Sequence, residues 1–192
     1  AKVAVLPIHN STSDMNGPAW VRTGISEMVL AKHYLVIPND QVDQVLREKM
    51  GVTLGGQLDY TNPATGAPLP DIVGQTLDVD GLLYCNLEDF QSTTTLNINR
   101  RKIRVRCSLV NVKTATIVWE KEEVKSAFEI NARPEDLTAA LIKACGYNPL
   151  EEETAVVIDK MKSTFPSGPV AAAEEQDGIH DVRLIWLETK KR

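Results

Sequence analysis

The residues of this chain that could do chemistry are few, and their spacing rules out most of what they might do. Cys85, Cys107 and Cys145 stand far apart, with no Cys-x-x-Cys pair to suggest a zinc site or a thioredoxin-like exchange. Their odd number leaves no complete disulfide framework, and packed thiols are the preferred reading of all three. Cys85 and Cys107 nevertheless fall on adjacent predicted strands, which leaves an oxidising compartment open. His9, His33 and His180 form no His-x-x-His or His-Glu-x-x-His spacing. There is no Gly-x-Ser-x-Gly elbow, no Gly-x-Gly-x-x-Gly and no Walker pattern. Glu88 and Asp89 are neighbours on a predicted strand end, where adjacent side chains point to opposite faces and cannot share a substrate. Asp78-Val79-Asp80-Gly81 resembles the middle of a calcium loop, but residues 82–87 are apolar where further oxygen ligands are required. A carboxylate-rich turn fits better. No catalytic residue, metal or cofactor is expected.

The bulk properties narrow the class further. At 192 residues, 43% hydrophobic and 24% charged, the chain can bury a core without metals or disulfides. The net charge of −5 disfavours nucleic acid as a main partner, because phosphate binding needs clustered Lys and Arg. Residues 100–106 and the terminal Lys190-Lys191-Arg192 are the basic exceptions. No run approaches the ~20 apolar residues of a membrane span. Residues 2–6 already read as strand, which suggests a mature product whose targeting segment has been removed.

These residues need elements to position them, and the hydrophobic pattern supplies an order. Residues 3–8 read as a strand buried on both faces, ended by Pro7. A polar loop over 9–14 precedes a helix beginning near Asn16-Gly17-Pro18, with Val21, Ile25, Met28 and Val29 on its apolar face and an end near His33. A strand over 34–37 stops at Pro38. Asn39 or Asp40 caps a second helix with Val42, Val45, Leu46 and Met50 inward and Gly51 at its end. Residues 53–70 read as a long loop, of a kind often functional. Ile72, Val73 and Leu77 suggest a short helix.

Residues 77–127 then form the organising sheet, a three-strand antiparallel meander with a polar turn region after residue 87. Ile103, Val105, Cys107 and Leu109 alternate with Arg104, Arg106 and Ser108, so one face is buried and the other wet. A turn centred near Lys113 would set Cys107 against Trp119, Leu109 against Ile117, Arg104 against Glu122 and Arg106 against Glu120. The arginines then look like cross-strand partners rather than a nucleic-acid site. A helix from Pro134 carries Leu137, Leu141 and Cys145 and stops at Gly146. Another covers about 151–164, with Val157, Ile158, Met161 and Phe165 in its stripe, ended by Pro166-Ser167-Gly168-Pro169. Residues 1–169 read as a single α/β domain, a mixed sheet flanked by helices. Residues 170–192 read as a linker and a strand-like tail.

The order of pieces resembles a group of bacterial envelope proteins. Lys2-Val3-Ala4-Val5-Leu6-Pro7-Ile8-His9-Asn10 is similar to their opening strand, and Leu77-Asp78-Val79-Asp80-Gly81-Leu82-Leu83 to their Leu-Gly-x-Asp-x-Val lead-in to a central strand. Leu109-Val110-Asn111-Val112-Lys113-Thr114-Ala115-Thr116-Ile117-Val118-Trp119 resembles a Leu-x-Asp-x-x-Thr-Gly-x-Ile-x-Trp hairpin. There Asn111 stands for the Asp and Ala115 for the Gly. Phe165-Pro166-Ser167-Gly168-Pro169 looks like the Leu-Pro-x-Gly-Pro close of one lipoprotein branch. The group includes the TolB amino-terminal domain, the curli-secretion lipoprotein CsgG and the peptidoglycan-synthase activator LpoB, and the resemblance covers residues 2–169. It implies a TolB-like or CsgG-like α/β fold. It also implies a non-enzymatic periplasmic lipoprotein, tethered to the outer membrane by a lipid anchor outside this chain and working through protein contacts. No functional residues carry over, because the matched positions are fold positions.

The expected function is therefore protein–protein contact with envelope proteins in assembly or transport, with a homo-oligomer admitted. The expected partner-binding residues are Tyr60 in the long loop and Leu184, Ile185, Trp186 and Leu187 in the tail, which can add to a sheet edge. If the tail docks between chains, deleting residues 179–192 abolishes the oligomer. The alternative is a small-ligand or anion-binding α/β domain using the 9–17 loop, where helix N–H groups attract anions. A hydrolase with dispersed residues is the least favoured reading.

Overall fold

A computed structural model describes residues 1–51, 70–95, 98–130, 138, 142 and 150–169. The strands are β1 (Lys2–Val5), β2 (His9–Asn10), β3 (Leu35–Val36), β4 (Gly81–Thr94), β5 (Ile98–Asn111) and β6 (Thr116–Ile130). The helices among the described residues are α1 (Gly17–Leu30), α2 (Asn39–Met50), α3 (Pro70–Leu77) and α4 (Glu151–Thr164). The sheet runs β3-β1-β4-β5-β6, with β2 also beside β4. β1 is parallel to β3 and β4, whereas β4, β5 and β6 form the antiparallel meander. This is the mixed α/β sheet expected. The segments 53–69, 131–137 and 170–192 lie outside the described residues, as do the expected anchors Leu137, Leu141, Cys145 and Gly146.

Two apolar clusters sandwich the sheet, because residues of the short parallel strands alternate between its faces. Val3 and Val5 point to one side with Leu83, Cys107 and Leu109, under Val21, Ile25 and Val29 of α1 and Val157 and Met161 of α4. Ala4, Leu6 and Leu82 point to the other side, under Val42 and Leu46 of α2 and Val73 and Leu77 of α3. Arg22 ties the layers together. It is buried on α1, donates Nη2 to the Val5 carbonyl at 2.9 Å, and pairs with Asp43 of α2 at 2.7 Å.

Several expectations need correcting. The chain does not leave the sheet at Pro7: after that residue, which has no N–H to give a ladder, His9 and Asn10 resume pairing with Asn86 and Leu87. α1 ends at Leu30, and the turn after it puts His33 at φ 65°. Pro38 occupies the cap position of α2 without a side-chain cap. Asn39 and Asp40 are inside its first turn, and the Asn39 Oδ1 accepts from Ser26 instead.

The larger corrections concern the meander. The polar stretch after residue 87 is strand on both sides of the connection, so β4 and β5 each run about 45 Å. An irregularity between Leu87 and Asp89 inserts a residue into β4, and another sits between Leu109 and Val110 in the β5–β6 ladder. The second, together with a turn centred between Lys113 and Thr114, shifts the register by two: Cys107 faces Lys121, Leu109 faces Trp119, Arg106 faces Glu122 and Arg104 faces Val124. A turn centre read from loop residues alone misses such a bulge. The buried alternation of Ile103, Val105, Cys107 and Leu109 is as expected.

The cysteines differ as well. Cys85 and Cys107 lie directly opposite on β4 and β5, with Cα atoms 4.1 Å apart, and form a disulfide rather than two packed thiols. Register decides this, since directly opposed antiparallel residues bring their side chains within bonding reach.

Candidate interaction surface

The 9–17 loop is a site only if its backbone donors are free, and they are not. The Asp14 Oδ1 accepts from the backbone N–H of Asn16 at 2.8 Å and of Gly17 at 2.6 Å. Asn10 Oδ1 holds Thr12 N at 3.0 Å. The amino-terminus of α1 thus carries its own carboxylate, which meets the attraction that would draw an external anion. The Asp78-Val79-Asp80 turn is likewise engaged within the fold: Asp80 accepts from Lys2 N at 2.9 Å and Asp78 pairs with Lys2 Nζ at 3.0 Å. Among the described residues no group of three or more His, Cys, Asp or Glu is placed to hold a metal.

The wet face of the meander carries a lattice of charge. Arg106 contacts Glu122 at 2.5 Å and Glu88 at 3.5 Å; Arg104 contacts Glu122 at 3.4 Å and Asp89 at 3.3 Å; Lys102 contacts Asp89 at 2.8 Å. The bulge brings Glu88 and Asp89 to the same side, against the expectation of opposite faces, and both reach Arg104. The hydrogen bond that Arg106 donates to Glu122, with the charges of Glu122 and Glu88, raises the Arg106 pKa above its ordinary value. Lys102, Arg104 and Arg106 are therefore neutralised by their neighbours, with Glu122 rather than Glu120 the principal partner of Arg106. Such exposed pairs add little to stability, because water and salt screen them.

On the opposite face the pattern turns polar where the apolar alternation ends. Arg101 is buried between Glu153 of α4, at 2.7 Å, and Glu129 of β6, at 2.6 Å. Burial lowers its pKa, but hydrogen bonds and charge from Glu153 and Glu129 outweigh that and raise it. Glu153 is buried too. This pair pins α4 to the far half of the meander. At the other end of α4, Phe165 packs edge-on against Trp119, with ring centroids 4.8 Å apart, and against Tyr34 at 5.8 Å. Gly168 then donates to the Lys32 carbonyl at 2.7 Å. A Cβ on Gly168 would lie 2.6 Å from the His33 carbonyl oxygen, so the motif closes against the turn after α1 by close backbone approach.

β6 is the long free edge of the sheet among the described residues. Val118, Val124, Phe128 and Ile130 are exposed on it, Phe128 by 62% and Ile130 by 69%. Sequence reasoning missed this edge, because strand order is a tertiary fact; the apolar residues at 118, 124, 128 and 130 share one parity and were the available signal. The expected contact residues Tyr60, Leu184, Ile185, Trp186 and Leu187 all lie outside the described residues.

This arrangement of a short parallel half, a long meander and a two-sided helical cover has relatives. A family model described as "Putative lipoprotein GNA1162-like" matches residues 1–159. The chain belongs to this family. No curated protein matches it. Among solved structures it is similar to the lipoprotein GNA1162 from Neisseria meningitidis, at 20% identity and TM-score 0.53, over 75% of this chain and 94% of that one. A PelC dodecamer from Paraburkholderia phytofirmans shares 12% identity with TM-score 0.52, over 87% and 88% of the two chains. The hypothetical protein CT253 from Chlamydia trachomatis shares 14% with TM-score 0.51, over 85% and 94%. At these identities the likeness is one of fold. The GNA1162-like chain described above belongs with bacterial lipoproteins of the cell envelope, and no helix among its described residues is long and apolar enough to cross a membrane.

Proposed function

We propose that this is a non-enzymatic envelope domain that works in the periplasm through protein–protein contacts, supporting assembly or transport at the outer membrane, where a lipid anchor outside this chain tethers it. The observation that carries the reading is the match to a lipoprotein family over residues 1–159. The Cys85–Cys107 disulfide supports it, because such bonds persist in oxidising compartments. The engagement of Arg22, Arg101, Arg104 and Arg106 in structural ion pairs also fits a scaffold rather than a reaction centre. Envelope partners contact Tyr60 and the Leu184, Ile185, Trp186 and Leu187 tail. Self-association belongs to the same reading, as in the PelC dodecamer of similar fold.

The test is metabolic labelling of the natural full-length product with a clickable palmitate analogue, followed by density-gradient fractionation. Labelled protein in the outer-membrane fraction, with residues 85 and 107 protected from alkylation until reduction, is the expected result. An unlabelled protein in the cytosolic fraction with two freely alkylated thiols sinks the proposal.

A further inference from the structure

A long edge strand with exposed apolar residues is a template for another strand, and natural proteins usually blunt or cover such edges. β6 is not blunted. It runs through Ile130 without proline, and it alternates two sets of side chains. Trp119, Lys121, Glu123, Lys125, Ala127 and Glu129 share the α4 side, where Glu123 contacts Lys121 at 3.3 Å and Lys160 of α4 at 3.8 Å. Val118, Glu120, Glu122, Val124, Ser126, Phe128 and Ile130 share the other side and are exposed. We infer that this edge pairs antiparallel with β6 of a second copy of the chain, about a two-fold axis through Val124, joining two sheets into one.

The occupant follows from charge. A two-fold normal to the sheet keeps each face on its own side, so only residues of like parity can oppose one another. Centred on Val124, each Glu123 faces Lys125 of the second copy, and symmetry makes that pair twice. Glu122 then faces Ser126, and Val124, more than a third exposed, meets itself. The neighbouring registers fail. Centring on Glu122, Glu123 or Lys125 sets a like charge directly against itself, and centring on Ser126 sets Glu123 against Glu129. Like charges directly opposed are destabilising, whereas opposite ones contribute. Lys125 makes no ion pair among the described residues, so this pairing supplies its counter-charge. Residues 119–129 overlap themselves throughout, giving a strand pairing of about 36 Å.

The inference deepens the self-association proposed above and rests on it, but not on the envelope location. Sedimentation equilibrium of the full chain across a concentration series is expected to show a dimer. E123K and K125E are each expected to weaken it about tenfold, and E123K/K125E to restore it, because the swapped charges again oppose. A circular dichroism melt confirms that each variant is folded. As a measurement independent of affinity, V124C/C145S is expected to cross-link into a dimer on mild oxidation, whereas S126C/C145S is not. A monomer at every concentration overturns both this inference and self-association. An oligomer indifferent to E123K and refractory to the V124C cross-link overturns the β6 surface and leaves self-association standing. An oligomer lost only on deleting residues 179–192 assigns the contact to the tail and overturns the edge.

Discussion

At the scale of single residues, the buried charges of this protein act as joints. Arg101 and Glu153 are 4% and 3% exposed, so neither has water to fall back on. Their value lies in being matched, since a buried ion pair offers little over an apolar replacement while a broken one leaves a stranded charge. R101M is therefore expected to cost about 3 kcal/mol, because Glu153 is left buried without its guanidinium. R101M/E153Q should recover at least about 1 kcal/mol of that loss, since the remaining amide has no charge to desolvate. Urea denaturation of wild type, both single variants and the double variant gives the coupling directly. Losses that simply add would mean that the two side chains do not depend on each other. Arg22 plays the corresponding part between β1, α1 and α2, with its guanidinium on the Val5 carbonyl and Asp43. Neither arginine could be told from a surface residue in the sequence, because burial of a charge depends on partners far along the chain.

At the scale of elements, the turns show where this chain departs from the motifs it resembles. Asp78 and Ala115 have φ of 53° and 52°, the left-handed region that glycine enters without cost. Both stand where the resembled motifs carry Gly. Asp78 is partly compensated by its ion pair with Lys2, and short polar side chains tolerate this conformation. Ala115 has no such compensation. Asn111 replaces the expected Asp successfully, since its Oδ1 accepts from Lys113 N at 2.9 Å and Thr114 N at 3.2 Å. A115G is thus expected to stabilise the protein by about 1 kcal/mol, read as a rise in urea midpoint with unchanged slope. A lower midpoint would show that the glycine's extra freedom in the unfolded chain outweighs the relieved strain. α2 and α4 were legible because apolar residues recur at helical spacing, and the bounds of α4 were as read. The two ladder irregularities were not, since one inserted residue leaves each flanking run of alternation intact while moving everything beyond it. That is why the buried face of β5 was readable and its partners on β6 were off by two: the bulge moves them by one, and a turn centred between Lys113 and Thr114 rather than on Lys113 moves them by one more.

At the scale of the whole molecule, the sheet has two unequal halves, and the disulfide sits where they meet. Cys85 is one of the β4 residues beside the parallel strands, and Cys107 is opposite it on β5, both buried in the cluster under α1 and α4. Fold class and the helical cover could be read from pattern, whereas the free β6 edge and the cysteine pairing could not, because both depend on which strands become neighbours and in what register. The cross-link closes a segment with a sequence separation of 22, holding β4 and β5 together in the unfolded chain. Chain-entropy reasoning assigns such a closure about 3 kcal/mol of stability. The buried sulfurs also shield the bond, so a reductant acts mainly on unfolded molecules. Protein unfolded and refolded in dithiothreitol is accordingly expected to be about 3 kcal/mol less stable than oxidised protein in urea titrations. The same reductant added to folded protein should act only as fast as the chain unfolds. Equal midpoints for the oxidised and reduced forms would show that the β4–β5 ladder already restricts the unfolded chain as much as the cross-link does. Rapid reduction of the folded protein would show instead that the meander opens locally at its centre, contrary to a core in which Cys107 and its neighbours Val105 and Leu109 are buried together.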